Sequence, residues 1–405
     1  MIVSTFFKLL FYDFFMIRPL IFIWLAHFLV DFMIGIWAMY KTLAHIDLFL
    51  AGTISAAGAF FGEGMQIFFG PLSDRGWRKQ LICLGVLLTA ANTFLAYFTN
   101  YWMLLLIYST TCVGSGAFHP AATSLAGALT PYRKAMVIAI FASGGALGLA
   151  SSQIIYTYFH SVLHGATAIL TLPAILLVFT SFYGLQGIHN FTPIQSTQDV
   201  NLKALFRMFK NRNLRLLYIA QVCNQTLFWA TIFLLPDTLI CKGYNPWICH
   251  GGGHLFLILG GAVMLIPAGY LSDRYSPKKV ILWATVAAMI AFYIFLLYPS
   301  FDNSTFVALI FLLGAFFATV NSVLIAFGHW LVPESPGMVS AFLMGMAWCV
   351  SEGLGQGGGG LMTRFFNEHA PVYALSILGI FFIIGIIATL LLPTLERNEI
   401  KGQLN

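Results

Sequence analysis

Charged side chains are scarce: Asp, Glu, Lys and Arg make up 8% of the 405 residues, against 59% hydrophobic. A soluble domain has no need of so apolar a surface, and the sequence reads as an integral membrane protein. Cysteines are few. The six, at 83, 112, 223, 241, 249 and 349, have no paired metal-ligand spacing, so no metal is expected. Most lie in apolar segments and read as packing residues, with Cys241 and Cys249 placed to bridge in an outer loop. A phosphate-binding loop is absent as well, because GGGG at 357–360 lacks a following Lys-Ser or Lys-Thr. A built-in ATP-driven engine is thereby excluded. The formal charge of +6 comes from 20 basic residues scattered through short loops, with no patch or arm suited to nucleic acid. No nucleophile constellation is present, which leaves an intramembrane enzyme only a remote alternative, and no cofactor is expected.

What the sequence does have is length of apolar run. Segments of 18 or more apolar residues recur from about 19 to 393, each able to cross a hydrocarbon layer of ~30 Å as a helix. The runs are continuous and do not alternate, which disfavours a barrel of strands. Breaking them at charged and turn-rich points predicts twelve helices, at 19–41, 46–70, 80–98, 101–129, 136–161, 164–188, 214–240, 251–272, 279–299, 304–332, 337–364 and 370–393. FFKLLFYDFF at 6–15 is too short to span and is expected in the membrane interface, and no cleavable signal peptide is expected. The long polar interval, 189–213, reads as a linker. The predicted organisation is an interfacial segment 1–18, a six-helix bundle 19–188, the linker, a second bundle 214–393 and a tail 394–405.

Lys and Arg divide unevenly across these spans. Lys41, Lys242 and Arg364 fall on one side and the other seventeen of the 20 on the opposite side. The positive-inside rule then places both termini and the linker in the cytoplasm. A sequon at Asn303-Ser304-Thr305 falls outside, but Asn224-Gln225-Thr226 matches the same pattern within a span, so the pattern carries no weight.

The chain also repeats itself. LSDR at 72–75 recurs at 271–274, GAF at 116–118 recurs at 314–316, and SGGALG at 143–148 has a counterpart in SEGLGQ at 351–356. The offsets, 199, 198 and 208 residues, are those of a duplicated six-helix unit.

With GPLSDRGWRK after helix 2, the twelve spans and the central linker, the sequence resembles the major facilitator superfamily over essentially its whole length. HFLVD at 27–31, VGSGAFHPAATSLA at 113–126 and FASGGALG at 141–148 are most similar to the fosmidomycin-resistance branch, though Ala121 stands where that branch commonly has an acidic residue. The resemblance implies two pseudo-symmetric six-helix bundles, a cavity lined by helices 1, 4, 7 and 10, and a cytoplasmic gate. The gate would comprise Gly70, Asp74, Arg75 and Arg78, with Asp273 and Arg274 in the second half. Asp74 is expected beside the start of helix 11 at Pro336 and Gly337, and Asp273 beside the start of helix 5 after Pro131, where helix dipoles favour a carboxylate.

An ionisable group inside a span is costly enough to imply a wet cavity or a partner. Asp31, Glu63, His119, Asp237 and Glu352 are such groups, whereas helices 3, 6, 9 and 12 have no charge inside their spans, Lys279 standing at the first position of helix 9, and read as lipid-facing supports. His27 and Asp31, four apart, share a helix face. Burial disfavours the charged forms of carboxyl and imidazole alike, so Asp31 with His119 is the expected proton-coupling pair. Packing alone would give these residues a purely structural role. Asn224, Gln225 and Asn321 add polarity, Trp229 and Trp348 can stack on an organic guest, and Pro120 can kink helix 4. Asp237 is expected near the interface as an exposed or gate residue. The glycines around Glu352 read as a packing seam against Gly58 and Gly62 of helix 2.

The expected function is secondary transport of a small organic solute by alternating access, driven by protons as export. Proton-coupled uptake or facilitated diffusion would use the same scaffold. The expected setting is a lipid bilayer, a bacterial inner membrane, with the chain as a monomer.

Overall fold

The computed structural model describes residues 2–129, 134–186, 206–332 and 336–394. Among the described residues all regular structure is helical. Eleven helices are long and apolar enough to span a membrane. One of them, Leu48–Tyr97, has 50 residues, about 75 Å at the helical rise and more than twice the hydrocarbon thickness. It doubles back at Gly76, whose φ of 98° lies in the left-handed region that glycine adopts without strain. The chain is therefore a multi-pass membrane protein, with twelve crossings among the described residues.

The helices are α1 (Ile2–Leu43), α2 (Leu48–Leu72), α3 (Arg78–Thr89, extended by a 3-10 segment Ala90–Tyr97), α4 (Tyr101–Ala128), α5 (Lys134–Thr157) and α6 (Thr171–Gly184). The second half comprises α7 (Arg212–Cys241), α8 (Gly253–Arg274), α9 (Pro277–Leu297), α10 (Asn303–Leu331), α11 (Met338–Thr363) and α12 (Ala370–Leu390). Capping side chains mark several starts: Asp47, Asn100, Asn211 and Asp302 each accept from the first free backbone N–H groups of α2, α4, α7 and α10.

Duplication is visible in the packing. In the first half Gly62 of α2 lies against the Cys112 carbonyl and Gly116 of α4 against the Gly62 carbonyl. In the second, Gly260 of α8 lies against the Phe311 carbonyl and Gly314 of α10 against the Leu257 carbonyl. Both glycines of the second seam stand 198 residues after those of the first. Each seam needs a missing Cβ on both helices, because the contact on each side is backbone.

α3, α6, α9 and α12 turn apolar stripes outward. Leu172, Leu176, Phe179 and Tyr183 on α6, and Trp283, Ile290, Ile294 and Leu297 on α9, are exposed at helical spacing. That is the surface a hydrocarbon solvent requires.

Three expectations change. α1 runs unbroken from Ile2 through Pro19, because one missing N–H among good helix formers removes a bond without ending the helix. The glycine of α2 that seams against α11 is Gly52, which meets Gln356, Gly357 and Gly360, whereas Gly58 and Gly62 pack on Tyr108 and Cys112 of α4. Cys241 and Cys249 are both free thiols. Cys249 is buried, with its Sγ donating to the Tyr244 carbonyl at 3.3 Å.

The two halves meet closely at the end of the molecule opposite the basic turns that carry Arg75 and Arg274. At this far end Lys41 pairs with Asp237, Thr157 donates to the His250 carbonyl at 3.3 Å and His254 donates to the Leu149 carbonyl at 2.7 Å. Thr42 adds hydrogen bonds to both carboxylate oxygens of Asp237 across the same boundary. Toward the basic end the halves meet through apolar contact, Ile67 of α2 packing on the cluster around Phe342 and Leu343.

Candidate functional site

Between the halves lies a cavity of about 810 Å³, counting the part open to solvent. Its polar lining is Asp31 from α1, Glu63 from α2, Ser115 and His119 from α4, Gln225 from α7, Asn321 from α10 and Glu352 from α11. Phe228, Trp229, Trp348 and Tyr108 supply aromatic surface. α3, α6, α9 and α12 contribute none of the lining residues.

Asp31 is held from two sides. His27 Nε2 stands 3.3 Å from its Oδ2 and His119 Nε2 3.3 Å from its Oδ1. His27 Nδ1 donates to the Phe141 carbonyl at 2.9 Å, whereas His119 Nδ1 lies 3.0 Å from the Ser115 carbonyl and 3.1 Å from the Ser115 hydroxyl, so it can donate to the one or accept from the other. A carbonyl only accepts, so in a neutral His27 ring the proton sits on Nδ1 and Nε2 presents a lone pair to the carboxyl. That lone pair repels an ionised carboxylate. The contact between His27 and Asp31 is therefore satisfied only when a further proton sits between them. The three donor atoms lie within 4.8 Å of one another, a spacing that a shared proton or a small cation could bridge.

The sequence builds this cluster locally. His27 and Asp31 are one helical turn apart, and the Phe141 ring stacks on His27 with centroids 4.2 Å apart. Gly145 of α5 leaves the space that both side chains occupy, since a Cβ there would collide with His27 Nε2 and Asp31 Oδ2.

Glu63 accepts a hydrogen bond from Gln66 on its own helix. Glu352 is buried, and among the described residues no Lys, Arg or His forms an ion pair with either glutamate. On the α7 and α10 wall, Asn321 Oδ1 accepts from Gln221 at 2.6 Å and Gln225 at 2.7 Å. The indole N–H groups of Trp229 and Trp348 are buried without an acceptor.

Nine of the eleven residues expected to form the site thus gather here: eight line the cavity, and His27 stands behind Asp31. The other two do not. Asn224 turns away, its Nδ2 donating to the Phe317 carbonyl at 3.2 Å, and Asp237 lies at the far end with Lys41. Tyr108 and Ser115, not singled out in the sequence, and Cys112, read there as a packing residue, also line the cavity; with His119 they are spaced 4, 3 and 4 residues apart on one face of α4.

In the turn between α2 and α3, Asp74 faces Arg78 at 3.9 Å. The helix starts to which Asp74 and Asp273 are expected to point, together with the Asp273 side chain, lie outside the described residues or side chains.

The Major Facilitator Superfamily matches the chain over residues 9–248 and 253–403. Among curated relatives, an uncharacterized transporter of Buchnera aphidicola subsp. Schizaphis graminum is 24% identical over 235 residues, 56% of this chain and 56% of its own. The 4-hydroxybenzoate transporter PcaK of Pseudomonas aeruginosa is 27% identical over 270 residues, 57% of this chain and 59% of its own. The matches span less than two thirds of these relatives' lengths. Among solved structures, an inward-facing, unoccupied bacterial homologue of the human lysosomal transporter Spinster superposes with a TM-score of 0.76 at 16% identity, covering 94% of this chain and 96% of that one. A variant of the nucleoside transporter NupG superposes with a TM-score of 0.75 at 15% identity, covering 93% and 98%.

Proposed function

The chain belongs to the Major Facilitator Superfamily, and from that premise we propose that it is a secondary transporter that moves a small organic solute by alternating access. The observation carrying this reading is the central cavity, lined from both halves by polar groups drawn from the middle of otherwise apolar helices. Close contact at the far end and apolar contact at the basic end describe one member of a rocking pair of states.

Protons are the proposed coupling ion, with Asp31 and His119 as the pair that exchanges them. Asp31 contacts both imidazoles and the cavity, so a proton arriving there changes what the solute meets. Within the superfamily we place the chain nearest the fosmidomycin-resistance branch, on His27, Asp31 and Phe118-His119-Pro120, and therefore read the direction as export by antiport. A second reading, uptake by symport, is favoured by the relatives named as 4-hydroxybenzoate transporters. The two bundles at 19–188 and 214–393, the cytoplasmic termini, the bacterial inner membrane and the monomeric state belong to the same proposal. So does gating by Gly70, Asp74, Arg75, Arg78, Asp273 and Arg274.

Reconstituted vesicles test it. Solute counterflow without chemical change is expected from the parent chain, and a pH gradient should drive net accumulation. In Asp31→Asn the counterflow should persist while the gradient response is lost. An Asp31→Asn protein that still accumulates solute to the parental level would refute the coupling assignment.

A further inference from the structure

The cavity holds more carboxyl groups than cationic side chains. Of its three carboxyl groups, Asp31 alone has ion-pair partners among the described residues, the imidazoles of His27 and His119. Glu63 and Glu352 come from opposite halves, Glu63 accepting from Gln66 and Glu352 buried, and no Lys or Arg is among the lining residues. Burial disfavours the ionised form of both glutamates until a counter-charge enters. With both histidines protonated and the three acids ionised, the site would hold one excess negative charge, which a cationic guest would neutralise and an anionic guest would not.

The aromatic groups sit where such a guest would need them. Trp348 and Glu352 are four residues apart within the helical segment Ala347–Glu352, so an indole and a carboxylate share one face a single turn apart. Phe228 and Trp229 line the wall contributed by α7. An indole face attracts a cation through its quadrupole, most strongly where water is excluded. The two indole N–H groups, buried and without an acceptor, add a second requirement. They would be satisfied by an oxygen acceptor carried by the guest.

We propose that the solute is an organic cation bearing a hydrogen-bond acceptor, with Glu352 and Glu63 as its counter-charges and Trp348 and Trp229 as its aromatic and donor contacts. The assignment deepens the transport reading and rests on it. It differs from what the names of the PcaK relatives suggest, since 4-hydroxybenzoate is an organic anion.

Benzoylcholine is the probe, because its ammonium carries a permanent charge and its ester supplies an acceptor. Its neutral carbon isostere, with a tert-butyl group in place of the trimethylammonium, and 4-hydroxybenzoate are the comparisons. Binding is read by equilibrium dialysis of the purified full chain at one pH. Benzoylcholine should bind at least tenfold tighter than the isostere, and 4-hydroxybenzoate should not compete. Glu352→Gln should weaken benzoylcholine tenfold or more, with Glu352→Asp recovering most of the loss.

Equal binding of cation and isostere, or stronger binding of 4-hydroxybenzoate, overturns the proposal in the unsubstituted protein, whatever the variants do. Counterflow separates this failure from failure of the transport reading. Vesicles that exchange 4-hydroxybenzoate but not benzoylcholine refute the cation alone. Vesicles that exchange benzoylcholine support both readings, and a chain that binds benzoylcholine without exchanging it refutes transport while keeping the site.

Discussion

Lys41 of α1 and Asp237 of α7 form an ion pair that fastens the two halves at the far end. Lys41 has no exposed surface, its Nζ lies 4.7 Å from the Phe233 ring centroid, and Thr42 Oγ1 lies 3.1 Å from each Asp237 carboxylate oxygen. A cation so enclosed depends on its partner. Opening the far end would separate the pair and wet both groups.

Asp237→Asn should therefore strand a buried ammonium, at a cost on the order of 3 to 5 kcal/mol. The thermal midpoint of the purified chain should fall accordingly. The double variant Lys41→Met with Asp237→Leu removes both charges together and should recover most of the loss. Equal midpoints for the single and double variants would show that the charge itself is not what the pair contributes.

A second prediction separates two glycines three residues apart. At Gly145 an added Cβ would meet only the side-chain ends of His27 and Asp31, whereas at Gly148 it would meet the Phe28 backbone. Gly145→Ala should leave the thermal midpoint near that of the parent while impairing gradient-driven accumulation. Gly148→Ala should lower the midpoint by forcing α1 and α5 apart. Matching profiles for the two variants would show that Gly145 contributes packing alone.

Much of this site could be read in the sequence because an ionisable residue in a twenty-residue apolar run has few tolerable places to go. That argument found Asp31, Glu63, His119 and Glu352, and the uncharged helices marked the outward supports. It put Asp237 near the interface as a gate residue but did not find its partner, because Lys41 is nearly two hundred residues away in sequence and reads there only as a loop charge. Asn224 failed for a related reason: a buried amide is satisfied as well by the Phe317 carbonyl as by a cavity. The seam at Gly52 was missed because small-residue spacing identifies a close helix contact without naming the partner helix.

Gly52 offers a test of far-end closure. A side chain there would press on the Gln356 carbonyl at 2.8 Å and the Gly360 Cα at 3.1 Å, both backbone atoms that cannot rotate away. Gly52→Val should shift the population toward a state open at the far end. Cys112, which lines the cavity, is the natural reporter once the other five cysteines are replaced. A membrane-impermeant thiol reagent added from the far side should label it several-fold faster in Gly52→Val than in the parent. Unchanged far-side labelling would mean that the seam does not close the cavity.

The two histidines around Asp31 should behave differently despite equal distances to it. His27 is buried, stacked on Phe141 and outside the cavity lining, whereas His119 lines the cavity. His119→Gln removes a titrating ring from the cavity wall and leaves an amide that can still reach Asp31. Solute binding, measured as a dissociation constant across a pH series, should weaken by about tenfold, one hydrogen bond to a charged group, and its dependence on pH should flatten. His27→Gln sacrifices the stacked ring and should chiefly lower the thermal midpoint, with the dissociation constant at one pH changing less than threefold. If His27→Gln weakens binding as much as His119→Gln does, the two rings act as one unit, and the distinction between cavity-facing and supporting histidine falls.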